Sequence, residues 1–243
     1  MSRSPALPAP AEKERAVQRM FSAIARWYDL NNTVLSLGLH HRWKREAVEM
    51  TQAKPGDRVL DLCAGTCDLA ILLGDAVGAD GRVTACDLNA EMLEIGRQKI
   101  RKRRLDDRIT CVLGNAESLQ FADKTFDVLT VAFGLRNVTQ LSMALAEMHR
   151  VLKPGGRAVC LEFSQPTNAA FRRAYDFYSF SLLPKIGTWI ARDRTGVYQY
   201  LPDSIRHFPD QERFAAMWRQ TGFHGVRYVN HSGGIVALHI GVK

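Results

Sequence analysis

The sequence predicts an α/β domain built on a mostly parallel sheet, and three observations predict it. Strand and helix patterns alternate from about residue 55 to residue 165, as in consecutive βαβ units. The run FDVLTVAFGL is apolar almost throughout, as in a strand buried on both faces. The segment DLC, residues 61–63, ends a strand and passes through a turn of small residues into a helix. In an open parallel sheet, ligands bind at such turns beyond the carboxyl ends of the strands.

The elements can be placed in order along the chain. Residues 11–27 and 28–50 carry apolar residues at helical spacing, and Gly38 interrupts the second stretch. After residue 163 the sequence predicts a long aromatic helix, a further helix and two closing strands. The five strands between these regions are predicted over RVLDLC, RVTAC, RITCVLGNA, FDVLTVAFGL and RAVCLEF, and KPGG closes the helix before the last of them.

Composition and cysteine usage limit the class of protein. The chain has 243 residues, of which 46% are hydrophobic and 24% charged, enough for one domain with a sizeable core. No apolar run approaches the ~18 residues that span a membrane. The opening MSRSPALPAP lacks the apolar stretch of a signal peptide. The five cysteines form no regular framework, which indicates a reducing compartment and hence a cytoplasmic protein.

The net charge of +8 is typical of proteins that meet nucleic acid or an anionic membrane. The densest basic run, residues 97–108, has no interleaved aromatic residues of the kind that stack on single-stranded bases. It fits a solvated helix end, where cations are favoured. We therefore expect no nucleic-acid partner.

The turn after the first strand has the residues of a nucleoside site. Asp61, Gly65 and Thr66 lie at the strand end, and Asp87 ends the second strand 22 residues after Gly65. A carboxylate at that distance suits a ribose diol, because it can accept from both hydroxyls. A tight turn with a solvent-facing acid is the structural alternative.

The glycine content of this turn bears on which nucleoside binds. A pyrophosphate fingerprint reads GxGxxG, whereas AGTCDL, residues 64–69, holds a single glycine, and Asp61 and Asp68 flank the loop. Two acids would repel phosphates. They suit S-adenosylmethionine, which has no phosphate and carries a sulfonium and an ammonium group. A nicotinamide-dependent dehydrogenase is the competing interpretation.

The segment GNAESL, residues 114–119, follows the third strand and adds a contact for the base. Asn115 and the backbone of Ala116 are expected to bind the adenine edge, and a plain surface turn is the alternative.

The cysteines of the turn raise the question of a metal site. Cys63 and Cys67 offer only two soft ligands, and no nearby Cys or His completes a tetrahedral site. We therefore predict no metal, and expect both cysteines to be small buried side chains.

Three stretches of the chain resemble a known family. They are YDLNNTVLSLGLHHRWKR from residue 28, FGLRNV at 133–138 and RVLKPGGRAVCLEFSQP at 150–166. Together they are similar to the C-methyltransferases of quinone biosynthesis, which methylate demethylmenaquinone and the benzoquinol precursor of ubiquinone. The resemblance covers roughly residues 14–242. KPGG alone is widespread among methyltransferases, whereas FGLRNV with the first stretch is far more specific.

The resemblance implies a class I S-adenosylmethionine-dependent methyltransferase fold, Rossmann-like, with seven strands of which the last is antiparallel. By position, Thr66, Asp87 and the Asn115–Ala116 pair are then cofactor contacts. The Pro-, Ala- and Ser-rich opening predicts a disordered tail (1–12), and the rest of the chain is expected to form a single methyltransferase domain (13–243). That domain comprises a helical cap (13–52), a cofactor-binding core (53–165), a helical insertion on the substrate side (166–210) and a C-terminal helix with strands (211–243).

Two positions depart from the family pattern. Cys67 stands where the family usually has a glycine, and a positive φ there would cost on the order of 1 kcal/mol. Ala132 stands where many relatives have a serine that contacts the cofactor, so one hydrogen bond of ~1 kcal/mol is lost.

The resemblance also suggests where catalysis occurs. Arg136 and Asn137 follow the fourth strand, beside the expected methyl position. Arginine stays protonated, so Arg136 would stabilise a phenolate or orient a water that takes the proton. A salt bridge to Asp29 that holds the loop is the alternative. Tyr28, His40 and His207 are further candidates for the proton acceptor, with a structural hydrogen bond as the alternative for each. Glu162 is a candidate substrate contact, with a cap of the turn as the alternative.

The implied substrate is a polyprenylated quinol. Methylation of demethylmenaquinol is the first interpretation, and methylation of the benzoquinol precursor of ubiquinone is the alternative. Two other interpretations of the function remain. One is a methyltransferase that acts on another small molecule or on RNA, and the other is a binding module that has lost turnover. The aromatic stretch 171–190 would line a tail groove or touch lipid, with helix packing as the alternative. The positive charge would suit the anionic inner membrane, and a homodimer is left open.

Overall fold

Seven strands form the central sheet of the molecule. The computed structural model describes residues 10–191 and 195–243, and within them the strands are β1 (Arg58–Leu62), β2 (Arg82–Asp87), β3 (Ile109–Leu113), β4 (Phe126–Ala132), β5 (Leu152–Phe163), β6 (His224–His231) and β7 (Val236–Val242). Their order is β3-β2-β1-β4-β5-β7-β6. β1 to β5 pair in parallel, and β7 runs antiparallel to β5 and β6. The predicted fold class, mostly parallel with an antiparallel last strand, is confirmed.

The helices fall into a cap, a set of crossovers and an insertion. The cap helices are α1 (Pro10–Ile24), α2 (Tyr28–Leu35) and α3 (Leu39–Thr51). The crossovers between parallel strands are α4 (Asp68–Val77), α5 (Ala90–Lys102) and α6 (Leu141–Val151). The segment between β5 and β6 holds α7 (Ala169–Phe177), α8 (Leu183–Ala191), α9 (Val197–His207) and α10 (Gln211–Thr221).

The sheet separates two hydrophobic cores, because successive side chains of a strand point to opposite faces. On β1, Val59 belongs to the core beneath α3, α4 and α5, while Leu60 and Leu62 belong to the core beneath α6 and α10. Trp218 and Phe214 of α10 are fully buried in the second core. Both faces of the sheet are therefore covered by helices.

The KPGG segment is part of a strand rather than a separate turn. α6 ends at Val151, and β5 already begins at Leu152. Gly155 takes a positive φ of 78°, and the β4–β5 register shifts between Phe126 and Val128, as in a bulge. The glycines thus supply an irregular entry into β5.

The cap packs against the insertion to close one side of the carboxyl edge. Ile24 of the cap and Leu183, Val197 and Tyr198 of the insertion form a third, smaller cluster of buried residues. The Nδ2 of Asn31 donates to the Tyr198 hydroxyl at 2.5 Å. The predicted aromatic helix is realised as α7 and α8, joined by a π-helical turn over Tyr178–Leu182.

Two further observations concern the ends and the length of the helices. Of the predicted tail, residues 1–9 lie outside the described residues, and α1 begins at Pro10.

Within the described ranges, 10–191 and 195–243, no helix is both long enough and apolar enough to span a bilayer.

Candidate active site

The carboxyl ends of β1, β2, β3 and β4 meet at one edge of the sheet. Chain order reverses between β1 and β4, where an open sheet leaves a crevice for ligands. A cavity opens there, the strand-end cavity. Its walls come from the loops that follow the four strands and from α1, and include Gly65, Asp87, Asn115, Ala116 and Gln18.

Asp87 organises this cavity through both of its carboxylate oxygens. Oδ2 accepts the backbone N–H of Gly65 at 2.8 Å, and Oδ1 accepts that of Asn89 at 2.8 Å. Burial raises the pKa of Asp87, and the N–H donors of Asn89 and Gly65 oppose that rise. Each carboxylate oxygen has a second lone pair, so Asp87 can still accept hydrogen bonds from a ligand.

Asn115 and Ala116 lie at the end of the cavity next to β3. The Nδ2 of Asn115 donates to Glu14 of α1 at 3.1 Å, and its Oδ1 accepts the N–H of Glu117 at 2.9 Å. The side-chain amide is thus partly engaged within the protein. Ala116 is buried in the cavity wall.

Helix α1 covers the strand-end cavity from the solvent side. Lys13 Nζ donates to the backbone oxygens of Arg136 at 3.2 Å and Val138 at 2.6 Å. The Nδ2 of Asn89 donates to the backbone oxygen of Gln18 at 3.1 Å. The cap is therefore attached to the loops after both β2 and β4.

Asp61 and Thr66 line a smaller space beside the strand-end cavity, the loop cavity, together with Tyr28, Gly65 and Asp68. Oδ1 of Asp61 accepts the Thr130 hydroxyl at 2.8 Å. Its Oδ2 is buried and has no hydrogen-bond partner among the residues that the structure describes. Burial raises the pKa of Asp61 to about 7, although Thr130 and Lys44 oppose the rise.

The hydroxyl of Thr66 joins a charged network that holds α2 and α3 against the loop. Thr66 donates to Oδ1 of Asp29 at 2.7 Å, and Lys99 donates to Oδ2 of the same carboxylate at 2.8 Å. Lys99 also contacts Asp68, whose other oxygen accepts from Lys44 at 2.8 Å. Burial opposes ionisation of Asp68, but Lys44 and Lys99 hold its pKa well below the usual range.

Two cysteines of the loop adopt left-handed backbone conformations. Cys67 has φ 63° at the start of α4, and Cys63 has φ 55°. The positive φ considered for Cys67 is therefore present, at a cost of about 1 kcal/mol. The thiol of Cys67 occupies space left by a glycine, since a Cβ on Gly96 would lie 2.3 Å from its Sγ.

The thiols of this region are free, and they differ in burial. Cys67 is buried as predicted, whereas Cys63, which was also predicted to be buried, and Cys111 are half-buried. Within the described residues all five cysteines are unpaired, and no group of three or more His, Cys, Asp or Glu side chains could hold a metal. Cys67 and Cys111 place their Sγ atoms 3.9 Å apart. Burial raises the pKa of Cys63, so that its thiol stays neutral near pH 7.

A second cavity, the cap cavity, lies between the cap and the insertion and has a volume of about 490 Å³. Its lining is mainly apolar and aromatic, with Trp43, Phe163, Tyr175 and Tyr198 among its walls. Phe21, Tyr28, Phe133 and Asn137 line both this cavity and the strand-end cavity. The two cavities therefore meet at these four residues.

Arg136 is buried where the cap cavity meets the end of β4. Its Nη1 donates to Oε1 of Glu162 at 2.7 Å and to the backbone oxygen of Phe133 at 2.5 Å. The backbone N–H of Arg136 also donates to Glu162 at 3.3 Å. The salt bridge considered for Arg136 exists, but its partner is Glu162 rather than Asp29. β4 and β5 are adjacent, so their ends bring these two residues together.

The guanidinium retains capacity for a ligand. Its Nε is buried and makes no hydrogen bond to any residue in the described ranges. Its central carbon lies 5.2 Å from the ring centroid of Phe163. A buried donor without a partner is uncommon and calls for an explanation.

The other residues that the sequence suggested for catalysis differ in whether they line a cavity. Asn137 Oδ1 accepts from the hydroxyl of Tyr200 at 3.3 Å, and burial raises the pKa of Tyr200 to about 12. Tyr28 lines all three cavities, and His40 lines the cap cavity. His207 is exposed at the end of α9, where its Nδ1 lies 2.8 Å from the backbone oxygen of Asp203.

Comparison with known proteins identifies the group to which the chain is related. The family model of the ubiE/COQ5 methyltransferase family matches residues 10–243. The chain belongs to the ubiE/COQ5 methyltransferase family. A relative from Legionella pneumophila (strain Paris), "Ubiquinone/menaquinone biosynthesis C-methyltransferase UbiE", is 48% identical over 96% of this chain and 92% of its own. A relative of the same name from Stenotrophomonas maltophilia (strain K279a) is 49% identical over 97% and 92%.

Solved structures agree with the fold of this ubiE/COQ5 family member. A SAM-dependent methyltransferase from Aquifex aeolicus aligns with a TM-score of 0.60 and 17% identity, covering 82% of this chain and 88% of its own. The [4+2]-cyclase SpnF aligns with a TM-score of 0.64 and 18% identity, covering 83% and 80%. SpnF is a cyclase rather than a methyltransferase, so these similarities show the fold alone. S-adenosylmethionine is the cofactor, as family membership implies.

Several residues that line the two cavities were not predicted from the sequence to belong to a site. Glu14, Gln18 and Phe21 of α1 line the strand-end cavity, and Trp43 and Tyr200 line the cap cavity. The apolar stripe of residues 11–27 gave a signal for α1, but a stripe does not tell which surface it covers. No sequence pattern around Tyr200 indicates a role in the site, because its contact with Asn137 joins segments that are far apart in the sequence.

Proposed function

We propose that the chain is a C-methyltransferase of quinone biosynthesis that methylates a ring carbon of a polyprenylated quinol. Demethylmenaquinol is the first substrate, and the benzoquinol precursor of ubiquinone is the alternative. The observation that carries the proposal is the meeting of the two cavities. One has a carboxylate suited to a ribose, and the other is an apolar chamber with a guanidinium where it meets the sheet.

The residues of the strand-end and loop cavities fit S-adenosylmethionine. Asp87 would accept from the ribose hydroxyls, and Asn115 with the backbone of Ala116 would bind the adenine. Oδ2 of Asp61 is a buried acceptor without a partner among the described residues, and it suits the ammonium group. Thr66 would act through the loop, because its hydroxyl is already donated to Asp29. When bound, the cofactor supplies an electrophilic methyl group on a positively charged sulfur.

Arg136 would stabilise negative charge on the quinol. A ring carbon becomes nucleophilic when its neighbouring hydroxyl loses a proton, so the site must favour the phenolate. The guanidinium is positively charged, and its Nε is a buried donor that has no acceptor among the described residues. It would orient a water that receives the hydroxyl proton, while Asn137 and Tyr200 position the ring. After methyl transfer the methylated ring carbon would lose its proton, and the ring would thereby regain its aromaticity and its hydroxyl.

The apolar walls of the cap cavity would exclude bulk water from this charge. In such surroundings a fixed guanidinium interacts with an oxyanion more strongly than it would in water. The buried Glu162 keeps the guanidinium in place through Nη1 and leaves Nε to the substrate. This role would account for a guanidinium that makes a salt bridge through Nη1 and yet has no partner for Nε among the described residues.

We also propose that the mouth of the cap cavity contacts the membrane in which a polyprenylated quinol resides. Val34, Leu37, Leu39 and Ile186 line the cavity and are also exposed, Leu37 to 88%. Trp189 of α8 is 81% exposed. Exposed apolar groups beside an apolar chamber would enter the bilayer surface, and the net charge of +8 suits anionic lipid.

Vesicle binding tests the membrane contact. Leu37→Asn combined with Trp189→Ser should weaken co-sedimentation with anionic vesicles, whereas Val229→Ser on β6 should not. Val229 is a matched control because it is an exposed apolar residue outside the cavity lining. Equal binding by all three proteins would contradict the proposed surface.

Quinones extracted from a strain that lacks this gene test the substrate. Accumulated demethylmenaquinone supports the first substrate, and accumulated unmethylated ubiquinone precursor supports the alternative. Restoration of the methylated quinone by the wild-type gene, and not by the Arg136 variant described below, is the matched control. An unchanged quinone pool would contradict the proposal.

A further inference from the structure

His40 is a buried histidine whose two ring nitrogens have different surroundings. It lies in the first turn of α3 and lines the cap cavity, as does Trp43 one turn further along. Its Nε2 lies 3.1 Å from the hydroxyl oxygen of Thr33. Its Nδ1 is shielded from solvent and has no hydrogen-bond partner among the residues described. A buried polar atom without a partner is rare in folded proteins.

The contacts of Thr33 determine which nitrogen of His40 carries the hydrogen. The Thr33 hydroxyl donates to the backbone oxygen of Asp29 at 2.9 Å. A hydroxyl has a single hydrogen, and a carbonyl oxygen can only accept, so that hydrogen is used. Thr33 must therefore accept from Nε2–H of His40. The neutral ring then carries its hydrogen on Nε2 and its lone pair on Nδ1.

The surroundings also keep this ring neutral. Burial, with smaller contributions from the positive charges of Lys44 and His41, lowers the pKa of His40 to about 4. Asp68 and Asp29 act in the opposite direction but do not outweigh them. Nδ1 is consequently a hydrogen-bond acceptor near neutral pH.

We propose that His40 selects the reduced quinol over the oxidised quinone by accepting a hydrogen bond from a ring hydroxyl at Nδ1. The inference rests on the proposed function, and it concerns the hydroxyl that Arg136 does not bind. A quinol hydroxyl donates to a lone pair, whereas a quinone carbonyl has no hydrogen to donate and would face a second lone pair. A buried acceptor discriminates strongly against a ligand that lacks the matching donor.

The ring can reach a ligand without losing its bond to Thr33. The χ2 torsion of histidine has a broad energy profile. His40 already forms part of the wall of the cap cavity, and the proposal requires a modest rotation that exposes Nδ1 to this cavity while Nε2 stays near Thr33. Such selection is useful, because only the reduced ring is electron-rich enough to be methylated.

Binding of the two redox forms tests the inference. A short-tailed naphthoquinol and the matching naphthoquinone are titrated into the protein under anaerobic conditions, and their dissociation constants are compared. Wild type should bind the quinol more tightly. His40→Phe, which keeps a ring and loses both nitrogens, should weaken quinol binding about fivefold to tenfold and leave quinone binding unchanged. The preference should then nearly vanish.

A second pair of variants separates recognition from packing. His40→Gln can keep a donor towards Thr33, but its only acceptor, Oε1, lies beside that donor at the end of the side chain and not at the position of Nδ1, so this variant should also lose the preference. Thr33→Val keeps His40 but releases the constraint on its tautomer, and should show an intermediate preference. If His40 only supported the fold, His40→Gln would preserve the preference, and His40→Phe would weaken both redox forms alike.

The possible failures can be told apart. If wild type methylates the quinol but His40→Phe keeps the preference, the inference is overturned and the proposed function stands. If wild type binds neither redox form, the proposed function is overturned, and the inference with it. The strand-end cavity provides an internal control, because His40 does not line it, so the affinity for S-adenosylmethionine should be the same in every variant.

Discussion

The strand-end cavity and the cap cavity differ in how they are built. The first is made largely by the turns that follow successive parallel strands, and its contacts are backbone N–H groups and short polar side chains. The second is made by side chains from two regions far apart in the chain, the cap and the insertion. The difference indicates that the topology of the sheet creates the proposed cofactor site, whereas the elements added to the sheet create the proposed substrate site.

The largest expected effect is the loss of turnover when Arg136 is replaced, because this change should affect the cap cavity and leave the strand-end cavity intact. The double variant Arg136→Met with Glu162→Gln removes the guanidinium without leaving a buried unpaired charge. Loss of an oxyanion-stabilising donor should lower kcat by roughly 10²–10³-fold. The affinity for S-adenosylmethionine, measured by calorimetry, should not change.

Glu162→Gln alone is the control for this variant, because it retains the guanidinium. It should keep more activity than the double variant. Turnover by the double variant at the wild-type rate would show that Arg136 only supports the loop after β4.

Asp87 provides the converse test. Asp87→Ala removes a carboxylate that orders Gly65 and Asn89 and that is proposed to bind the ribose. The dissociation constant for S-adenosylmethionine should rise about tenfold to a hundredfold, the value expected for hydrogen bonds to a charged group. Quinol binding should be preserved, since Asp87 does not line the cap cavity. Unchanged cofactor affinity would refute the ribose role.

The sequence predicted the cofactor side more fully than the substrate side, for a physical reason. Gly65, Asp87, Asn115 and Ala116 lie at strand ends, and parallel strands bring their carboxyl ends to one edge whatever the details of packing. The structure places these four residues around one cavity. Their positions could therefore be predicted from the alternation of strands and helices.

Side-chain partners between distant segments could not be predicted in this way. The Arg136–Glu162 pair depends on which strand neighbours β4, and the Thr66–Asp29 bond depends on how α2 packs over the loop. An apolar period in residues 28–50 indicates a helix but not its partner surface. The encounter of Tyr200 with Asn137 likewise depends on tertiary packing.

A smaller effect is expected from the packing of Cys67 beneath the strand-end cavity. Gly96→Ala would place a Cβ 2.3 Å from Cys67 Sγ, and should lower the free energy of unfolding by about 1–3 kcal/mol. Adding Cys67→Gly should recover much of that loss, with a coupling of about 1 kcal/mol in a urea-denaturation cycle. Strictly additive losses would show that the two residues do not compete for space.

The last effect is spread over several pH units and concerns the pH dependence of stability. Burial raises the pKa of Asp61 to about 7 from 3.8, so the folded state holds this proton after the unfolded chain has released it. Stability from this group is therefore lost as pH rises between these two values, by up to ~1.4 kcal/mol per pH unit. Asp61→Asn should remove that contribution. A flat difference between the wild-type and variant unfolding curves from pH 4 to 7 would contradict the assignment.

The central claim is that the two cavities meet so that a methyl group reaches a ring carbon of a quinol. The direct measurement uses the purified chain, S-adenosylmethionine with a deuterated methyl group, and a short-tailed demethylmenaquinol kept reduced. Mass spectrometry and proton NMR of the product should place the labelled methyl group on the ring carbon. The matching quinone should give no labelled product. A label on oxygen, or no labelled product from either the naphthoquinol or the benzoquinol precursor, would contradict the claim.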